Sequence, residues 1–260
     1  MSESTIKEVV PEIKVDTFAV QRPNDSPLVT SWTDYIPVLD KGFVRLEGAL
    51  ASDLDPVNAA RVSFGQRKHE MDDRDRGLAK FLVRERHGSP TEHSFFRFEV
   101  KAPIFVFREW HRHRIGISIN EQSGRYMQLE REWYVPAAED FRVQVGKPGN
   151  YSFVPDEDME RINAARRAID IVGKSAFDEY EDMLHQGVAK EIARLVLPVN
   201  TYSTMWWSCN PRSLMAFLSL RNAPNAQREI KRYAEIMEQI FTKVMPATAA
   251  AFVDNGRVAP

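Results

Sequence analysis

The chain has 260 residues, 43% hydrophobic and 28% charged, with 35 Lys and Arg against 37 Asp and Glu. That balance excludes a disordered or fibrous protein and leaves ample length for a core. A net charge of −2 with no basic tail argues against bulk nucleic-acid binding, which needs a basic excess on some face. The single cysteine, Cys209, excludes an intrachain disulfide and a cysteine-rich zinc site, and fits a reducing compartment. No apolar run approaches the roughly 20 residues that span a bilayer. The N-terminus has neither the basic nor the apolar region of a secretory signal, so no membrane and a cytoplasmic location are expected.

Residues 1–34 are polar, lack periodicity and contain the turn-rich QRPNDSP, so they read as an extension, flexible or draped over the body. A single domain is expected over 35–260. Asp40-Lys41-Gly42 reads as a turn, and Phe43 to Glu47 alternates as a short strand does. Asp55-Pro56 opens a helix that runs through Val62. A second helix follows Asp72-Asp73, with Leu78, Phe81 and Leu82 on one face, and ends near Gly88. Phe96, Phe98 and Val100 alternate with Arg97, Glu99 and Lys101, the pattern of a half-buried strand. Pro103 opens a helix through Trp110, and Phe141–Val145 is a third strand. From there the pattern reads as helical throughout, over Asp156–His185, Lys190–Leu197, Pro211–Leu220 and Pro224–Val244, with Gly187 as a stop. The expected class is α+β, a small antiparallel sheet with many helices.

The densest chemistry lies in Arg108-Glu109-Trp110-His111-Arg112-His113-Arg114, where five of seven residues can be cationic. On a helix Arg108 and Arg112 share a face, as do Glu109 and His113. Such a cluster is either a solvated basic surface or an anion site whose guanidinium forks take phosphate oxygens bidentately. Downstream, Glu121, Gln122, Ser123, Gly124 and Arg125 bring a carboxylate, an amide, a hydroxyl and a guanidinium together around a glycine that admits close backbone approach. Arg194 stands inside an apolar segment, where an ion pair is the plain alternative to a ligand. Arg221 ends one, where compensation of the helix dipole is the plain alternative. His87, Glu92 and His93 have no helical metal-ligand spacing, so no metal is expected. Cys209 has no adjacent base, and neither a dinucleotide-binding glycine motif nor a phosphate-binding loop is present.

Arg112-His113-Arg114, followed by Asn120-Glu121-x-Ser123-Gly124-Arg125-Tyr126, resembles the signature of the flavin-dependent thymidylate synthase family. The resemblance extends in order and spacing to Ala59–Phe64, to His87-x-Ser89-x-x-Glu92-His93, to Val100–Phe105, to Ala193–Pro198 and to Asn210-x-Arg212-Ser213-Leu214-Met215. It implies a homotetramer with FAD at sites formed where subunits meet. The implied reaction is methylation of dUMP to dTMP, with methylenetetrahydrofolate as carbon donor and NADPH as reductant, and no cysteine nucleophile. Carried over by position, Ser89, Arg112, His113, Arg114, Glu121, Asn210 and Arg212 would hold FAD. Glu109, Trp110, His111, Arg112, Glu121, Gln122, Ser123, Gly124, Arg125 and Arg194 would meet the nucleotide. Arg221 would stand against the uracil edge as the catalytic group, its charge favouring ionisation at N3.

Three positions depart from the family pattern. Eight residues, not the usual seven, separate Arg114 from Ser123, so Ile115–Ile119 is expected to bulge or lengthen a loop. Glu109 stands where the family commonly has Gln, and Asn225 where it commonly has His. The other readings are a flavin- and folate-dependent hydroxymethylase, a methylase of a different pyrimidine nucleotide and, in another class, a non-catalytic nucleotide- or RNA-binding scaffold.

Overall fold

A computed structural model describes residues 16–21, 27–147 and 150–260. Its centre is a five-stranded antiparallel sheet built from β3 (Ile36–Val38), β4 (Gly42–Leu50), β5 (Phe95–Pro103), β6 (Ile117–Glu121) and β9 (Tyr202–Cys209). The spatial order is β3-β4-β5-β9-β6. Alternation along β4, β5 and β9 sends Val44, Leu46, Phe96, Phe98, Val100, Met205 and Trp207 to one face, where all are buried. Four helices cover that face: α3 (Ile104–Trp110), α6 (Pro211–Arg221), α7 (Arg228–Val244) and α8 (Pro246–Asp254). Trp110 sits at the junction, its ring centroid 4.8 Å from that of Phe217, 5.8 Å from Trp207 and 5.8 Å from Tyr233. Burial of so many aromatic groups is the main stabilising contribution here.

Helices α1 (Leu54–Arg61) and α2 (Asp73–Arg84) pack beside this core. Asp72 caps α2 in a reciprocal box with Asp75, and the buried Asp75 carboxylate also takes Arg61 at 2.5 Å. Asp53 accepts from the backbone N–H groups of Ala247 and Thr248, both at 2.8 Å, satisfying the open donors at the start of α8. The 27-residue α4 (Met159–His185) forms a smaller cluster in which Phe177 and Tyr180 pack with Leu129 and Ala193. Leu129 donates its backbone N–H to the Tyr180 hydroxyl at 3.0 Å.

Several elements differ from the sequence expectation. The chain after Val145 is not helical throughout. Strand β7 (Arg142–Lys147) turns back as β8 (Asn150–Pro155), and β9 is an interior strand between β5 and β6. The helix expected over 190–197 is one short turn, α5 (Lys190–Ala193), followed by a 3-10 turn over Arg194–Val196. Helix α7 begins at Arg228 rather than at Pro224. Within the N-terminal extension, β1 (Asp16–Gln21) and β2 (Pro27–Trp32) form an antiparallel hairpin. Thr33 docks it on the sheet by a backbone bond to the Leu46 carbonyl at 3.1 Å and by its hydroxyl, which accepts from the Leu46 N–H at 2.9 Å. Residues 1–15 and 22–26 of that extension lie outside the described residues.

Candidate active site

The segment from Glu109 to Gly116 leaves the end of α3 and runs alongside α6 before entering β6. At one end, Gly116 adopts φ +66°, and Ser213 donates its hydroxyl to the Ile115 carbonyl at 2.7 Å. Asn210 caps α6 by accepting from the Ser213 N–H at 2.8 Å. Ile117–Glu121 pairs with Met205–Cys209 in unbroken register, so of the two expected outcomes, a bulge or a longer loop, no bulge interrupts β6. Gln122 extends the ladder by donating its N–H to the Thr204 carbonyl at 2.8 Å.

At the other end of α6, the Arg221 guanidinium is fixed at three points. Its Nε donates to His113 Nε2 at 3.0 Å, one Nη to the Glu109 carboxylate at 2.6 Å, and the other Nη to the Glu109 backbone carbonyl at 2.9 Å. For His113 to accept, its Nε2 must be unprotonated. Burial and the neighbouring Arg221 charge push its pKa down to about 4, against a smaller opposing pull from Glu109. The His113 ring also meets Phe217 edge-on at 5.1 Å.

Between these ends the signature is a surface rather than a cavity. Arg112 and Arg114 are exposed, and Ile115 is 90% exposed. Among the described residues Arg108, Arg112, Arg114 and Arg194 take no ion pair, so this patch carries uncompensated positive charge. His111 stacks on Phe107 with ring centroids 6.0 Å apart, and its Nε2 lies 3.7 Å from the Glu121 carboxylate, buried and without a hydrogen-bond partner. Trp110 differs from its neighbours. Its side chain is wholly buried in the core, so at this position a nucleotide would meet the backbone of the Glu109–Arg112 stretch.

The strand β6 carries the segment of residues 122–125 to a tight turn, in which Ser123 accepts from the Tyr126 and Met127 N–H groups at 3.0 and 3.1 Å. The Ser123 hydroxyl accepts from the Arg125 N–H at 3.3 Å. Gly124 is buried beneath Arg194, where a Cβ would meet the Arg194 Cδ at 3.2 Å and Leu129 at 3.1 Å. Two segments 70 residues apart in sequence thus form one basic corner, with Arg125 paired to Glu191 at 3.3 Å on its rim. Arg125 and Arg194 share this corner, and His113 and Arg221 share the α6 side.

Ser89 and Arg212 form a third group. Arg212 crosses Gly88, where a Cβ would collide with its guanidinium at 2.4 Å, to reach Glu92 at 2.5 Å and the Pro260 carbonyl at 3.0 Å. Ser89 lines a cavity of 480 Å³ with Ser63, Phe64, Phe81 and His87. Ser63 and Phe64 were not singled out in the sequence as lining groups; the structure leaves Phe64 exposed beside Gly65, which is left-handed at φ +63°. No group of three or more His, Cys, Asp or Glu side chains among the described residues is placed to hold a metal ion. Cys209 is buried, which pushes its thiol well above the usual range and leaves it unsuited to nucleophilic attack. No helix among the described residues is long and apolar enough to cross a membrane.

Residues 46–247 match the family model described as thymidylate synthase complementing protein. The flavin-dependent thymidylate synthase of Streptomyces avermitilis is 46% identical over 229 residues, which cover 84% of this chain and 93% of the relative. That of Thermotoga neapolitana is 44% identical over 218 residues, covering 84% and 94%. Among solved structures, the UMP/dUMP methylase PolB from Streptomyces cacaoi, bound with 5-Br UMP, aligns with a TM-score of 0.78 at 43% identity, covering 86% of this chain and all of that one. With its signature arginines, its helix-capping Asn210 and strands β5, β6 and β9 of the central sheet inside the matched region, the chain belongs to the flavin-dependent thymidylate synthase family.

Proposed function

We propose that this protein is a flavin-dependent methyltransferase that converts dUMP to dTMP, taking the carbon from methylenetetrahydrofolate and electrons from NADPH. The observation that carries the proposal is the Arg221 guanidinium, fixed at three points with N–H donors to spare. A planar fork held this firmly is suited to the edge of a pyrimidine ring. The basic corner of Arg125 and Arg194 suits the nucleotide phosphate.

The residues present fit FAD. Arg112 and Arg114 offer charge with no ion pair among the described residues, and the capped start of α6, with Asn210 and Arg212, adds a positive helix pole suited to a diphosphate. Ser89 and the cavity it lines provide an apolar wall. When bound, the flavin supplies two-electron transfer and handling of the one-carbon unit, chemistry that side chains do not provide. The chain's own part is to bind and orient. Arg221 stabilises charge on the pyrimidine, neutral His113 and Glu109 hold Arg221, and the arginine patches neutralise phosphates.

The proposed assembly is a homotetramer whose subunits complete each other's sites, with residues 35–260 as the catalytic unit and 1–34 as an extension. Two features support it. The signature arginines lie open on the surface, and Arg194 is flanked by exposed apolar groups, among them Ile192 and the 73%-exposed Leu195, with Ile171 and Val172 on the adjoining α4. An apolar surface of this kind is suited to a symmetric partner. A cytoplasmic enzyme is consistent with its unpaired cysteine.

UMP is a second candidate substrate, because the aligned PolB is a UMP/dUMP methylase. The test is to purify the protein, record its flavin absorbance and sedimentation, and incubate it with NADPH and methylenetetrahydrofolate plus either dUMP or UMP. The expected result is a yellow oligomer yielding dTMP from dUMP. A colourless protein, or one that leaves both nucleotides unmethylated, would overturn the proposal.

A further inference from the structure

Helix α8 ends in a reversal of the chain. The Gly256 N–H donates to the Val253 carbonyl and the Arg257 N–H to the Phe252 carbonyl, both at 3.0 Å. Arg257 takes φ +57°, a left-handed setting uncommon for a residue with a side chain. Its guanidinium offsets that cost by donating from Nε to Glu238 at 3.0 Å, with one Nη 2.9 Å from the same carboxylate. Glu238, buried on α7, also accepts from Asn222, the residue after Arg221. From this anchor the chain runs back along α6. The Ser219 hydroxyl donates to the Arg257 carbonyl at 2.6 Å, and Arg212 Nε donates to the Pro260 carbonyl at 3.0 Å. Seven helical residues rise about 10.5 Å and three extended residues reach about 10 Å, so residues 258–260 link the two contacts nearly straight. Ala259 packs against the main core on the way.

We propose that residues 255–260 are a positioning strap for flavin binding, acting through Arg212. The proposal rests on the reading that Arg212 faces the flavin diphosphate. Arg212 crosses Gly88 with two donors engaged, Nε by Pro260 on one side and one Nη by Glu92 on the other. Among the described residues its other three N–H donors stay open. A single contact to Glu92 would leave the guanidinium free to swing, whereas two contacts fix its plane and aim the open donors. The ordering entropy of this 46%-exposed side chain is then lost on folding rather than on binding. The strap lies wholly beyond residues 46–247, the region matched by the family model, so the setting of Arg212 depends on chain outside that region. Its anchor on Glu238 and Asn222 ties the same strap to the Arg221 end of α6.

The experiment measures FAD affinity of full-length proteins by fluorescence titration after the bound flavin is removed. Arg257→Ala removes the anchor of the strap. Ser219→Ala removes one of its contacts and leaves every buried charge paired. Each is made in the wild type and in Arg212→Lys, where a point charge replaces the planar fork. Arg257→Ala is expected to weaken FAD binding roughly tenfold and Ser219→Ala about threefold, within the range for residues of one hydrogen-bond network. In Arg212→Lys both should change affinity by less than about twofold, because the fork on which the strap acts is gone. Urea unfolding identifies a variant that fails to fold; for Arg257→Ala, which leaves Glu238 without its guanidinium, Ser219→Ala then decides. Equal losses in both backgrounds overturn the proposal and make the tail a general support of the fold. No loss in the wild-type background also overturns it, since Arg212 is then set without the strap. Either result, with a wild type that binds FAD and methylates dUMP, leaves the proposed function standing. A wild type that binds no FAD overturns both.

Discussion

Gly116 lies directly beneath the side chain of Asn210: a Cβ at Gly116 would stand 2.9 Å from the Asn210 Nδ2 and 2.5 Å from the Ser213 hydroxyl. The close approach and the φ of +66° together leave room only for glycine. Through this contact the turn after Arg114 is seated on the start of α6, so the placement of the signature arginines depends on one missing methyl group.

Substituting Gly116→Ala is therefore expected to lower stability by about 1–2 kcal/mol for the left-handed backbone alone, with further loss as Ser213 is displaced, and to reduce flavin content. Gly77 provides the contrast. It lies within α2 with open space around it, so Gly77→Ala should stabilise by about 0.5–1 kcal/mol. Urea unfolding of both variants checks the pair, and a Gly116→Ala protein as stable as wild type would refute the seating argument.

Arg112 holds nothing within the described residues. Arg112→Ala should leave the unfolding midpoint of the dissociated chain within error. Binding of FAD or dUMP, in contrast, should weaken by about 2–5 kcal/mol, the scale for leaving a buried anion unpaired. Asp53→Ala serves as the opposite case, because the buried Asp53 satisfies the open N–H groups at the start of α8 and its loss should cost stability without touching binding. Calorimetric titration together with thermal melts separates the two. Equal binding by Arg112→Ala would return the basic run to a solvated surface.

The elements with a clean period were legible in the residues. The alternation from Phe96 to Lys101 lies within β5, and the helical spacing from Met159 to Leu184 is α4. Strand β9 was not read, although Tyr202, Thr204, Trp206 and Ser208 alternate with Ser203, Met205, Trp207 and Cys209. The reason is that small polar groups occupy both faces, including the buried Ser203, so the contrast in polarity is weak. Strand β6 is hidden because it is a five-residue edge strand whose only apolar groups, Ile117 and Ile119, are half-buried, so it is identified by its pairing with β9. At the site, the arginine run and the Ser-Gly-Arg turn were visible as chemistry. The bond from Arg221 to Glu109 was not, since the two are 112 residues apart and only the packing of α3 against α6 brings them together.

His113 gives a pH dependence of definite sign. Its pKa falls from the ordinary 6.5 to about 4 in the folded chain, because burial and Arg221 disfavour the imidazolium. The unfolded chain then binds more protons between those values, so stability is fully present above about pH 6.5 and declines as pH falls toward 4. Replacing His113 with Gln keeps an acceptor for the Arg221 Nε and removes the titration. The wild type should therefore lose stability relative to His113→Gln when urea midpoints are compared at pH 7 and pH 5. Parallel midpoints in the two proteins would show that His113 is protonated without penalty and does not accept from Arg221.

The sharpest prediction concerns Arg221→Lys. If Arg221 served only the helix dipole, lysine at the end of α6 would retain the charge and be nearly silent. The three bonds to His113 Nε2, the Glu109 carboxylate and the Glu109 carbonyl argue otherwise, because they require donors spread over a rigid plane. An ammonium group has three donors at one point and cannot reach all three acceptors while also facing a ring. NADPH oxidation without nucleotide should stay near the wild-type rate, since that half of the reaction does not involve the pyrimidine. Formation of dTMP should slow by roughly 10²-fold or more, the scale for losing one placed donor at a developing charge. Measuring the two rates on the same preparation distinguishes the outcomes. A lysine variant that forms dTMP at the wild-type rate would mean the fork plays no part in the chemistry, whereas loss of both rates would mean that Arg221 supports the fold of the site as a whole.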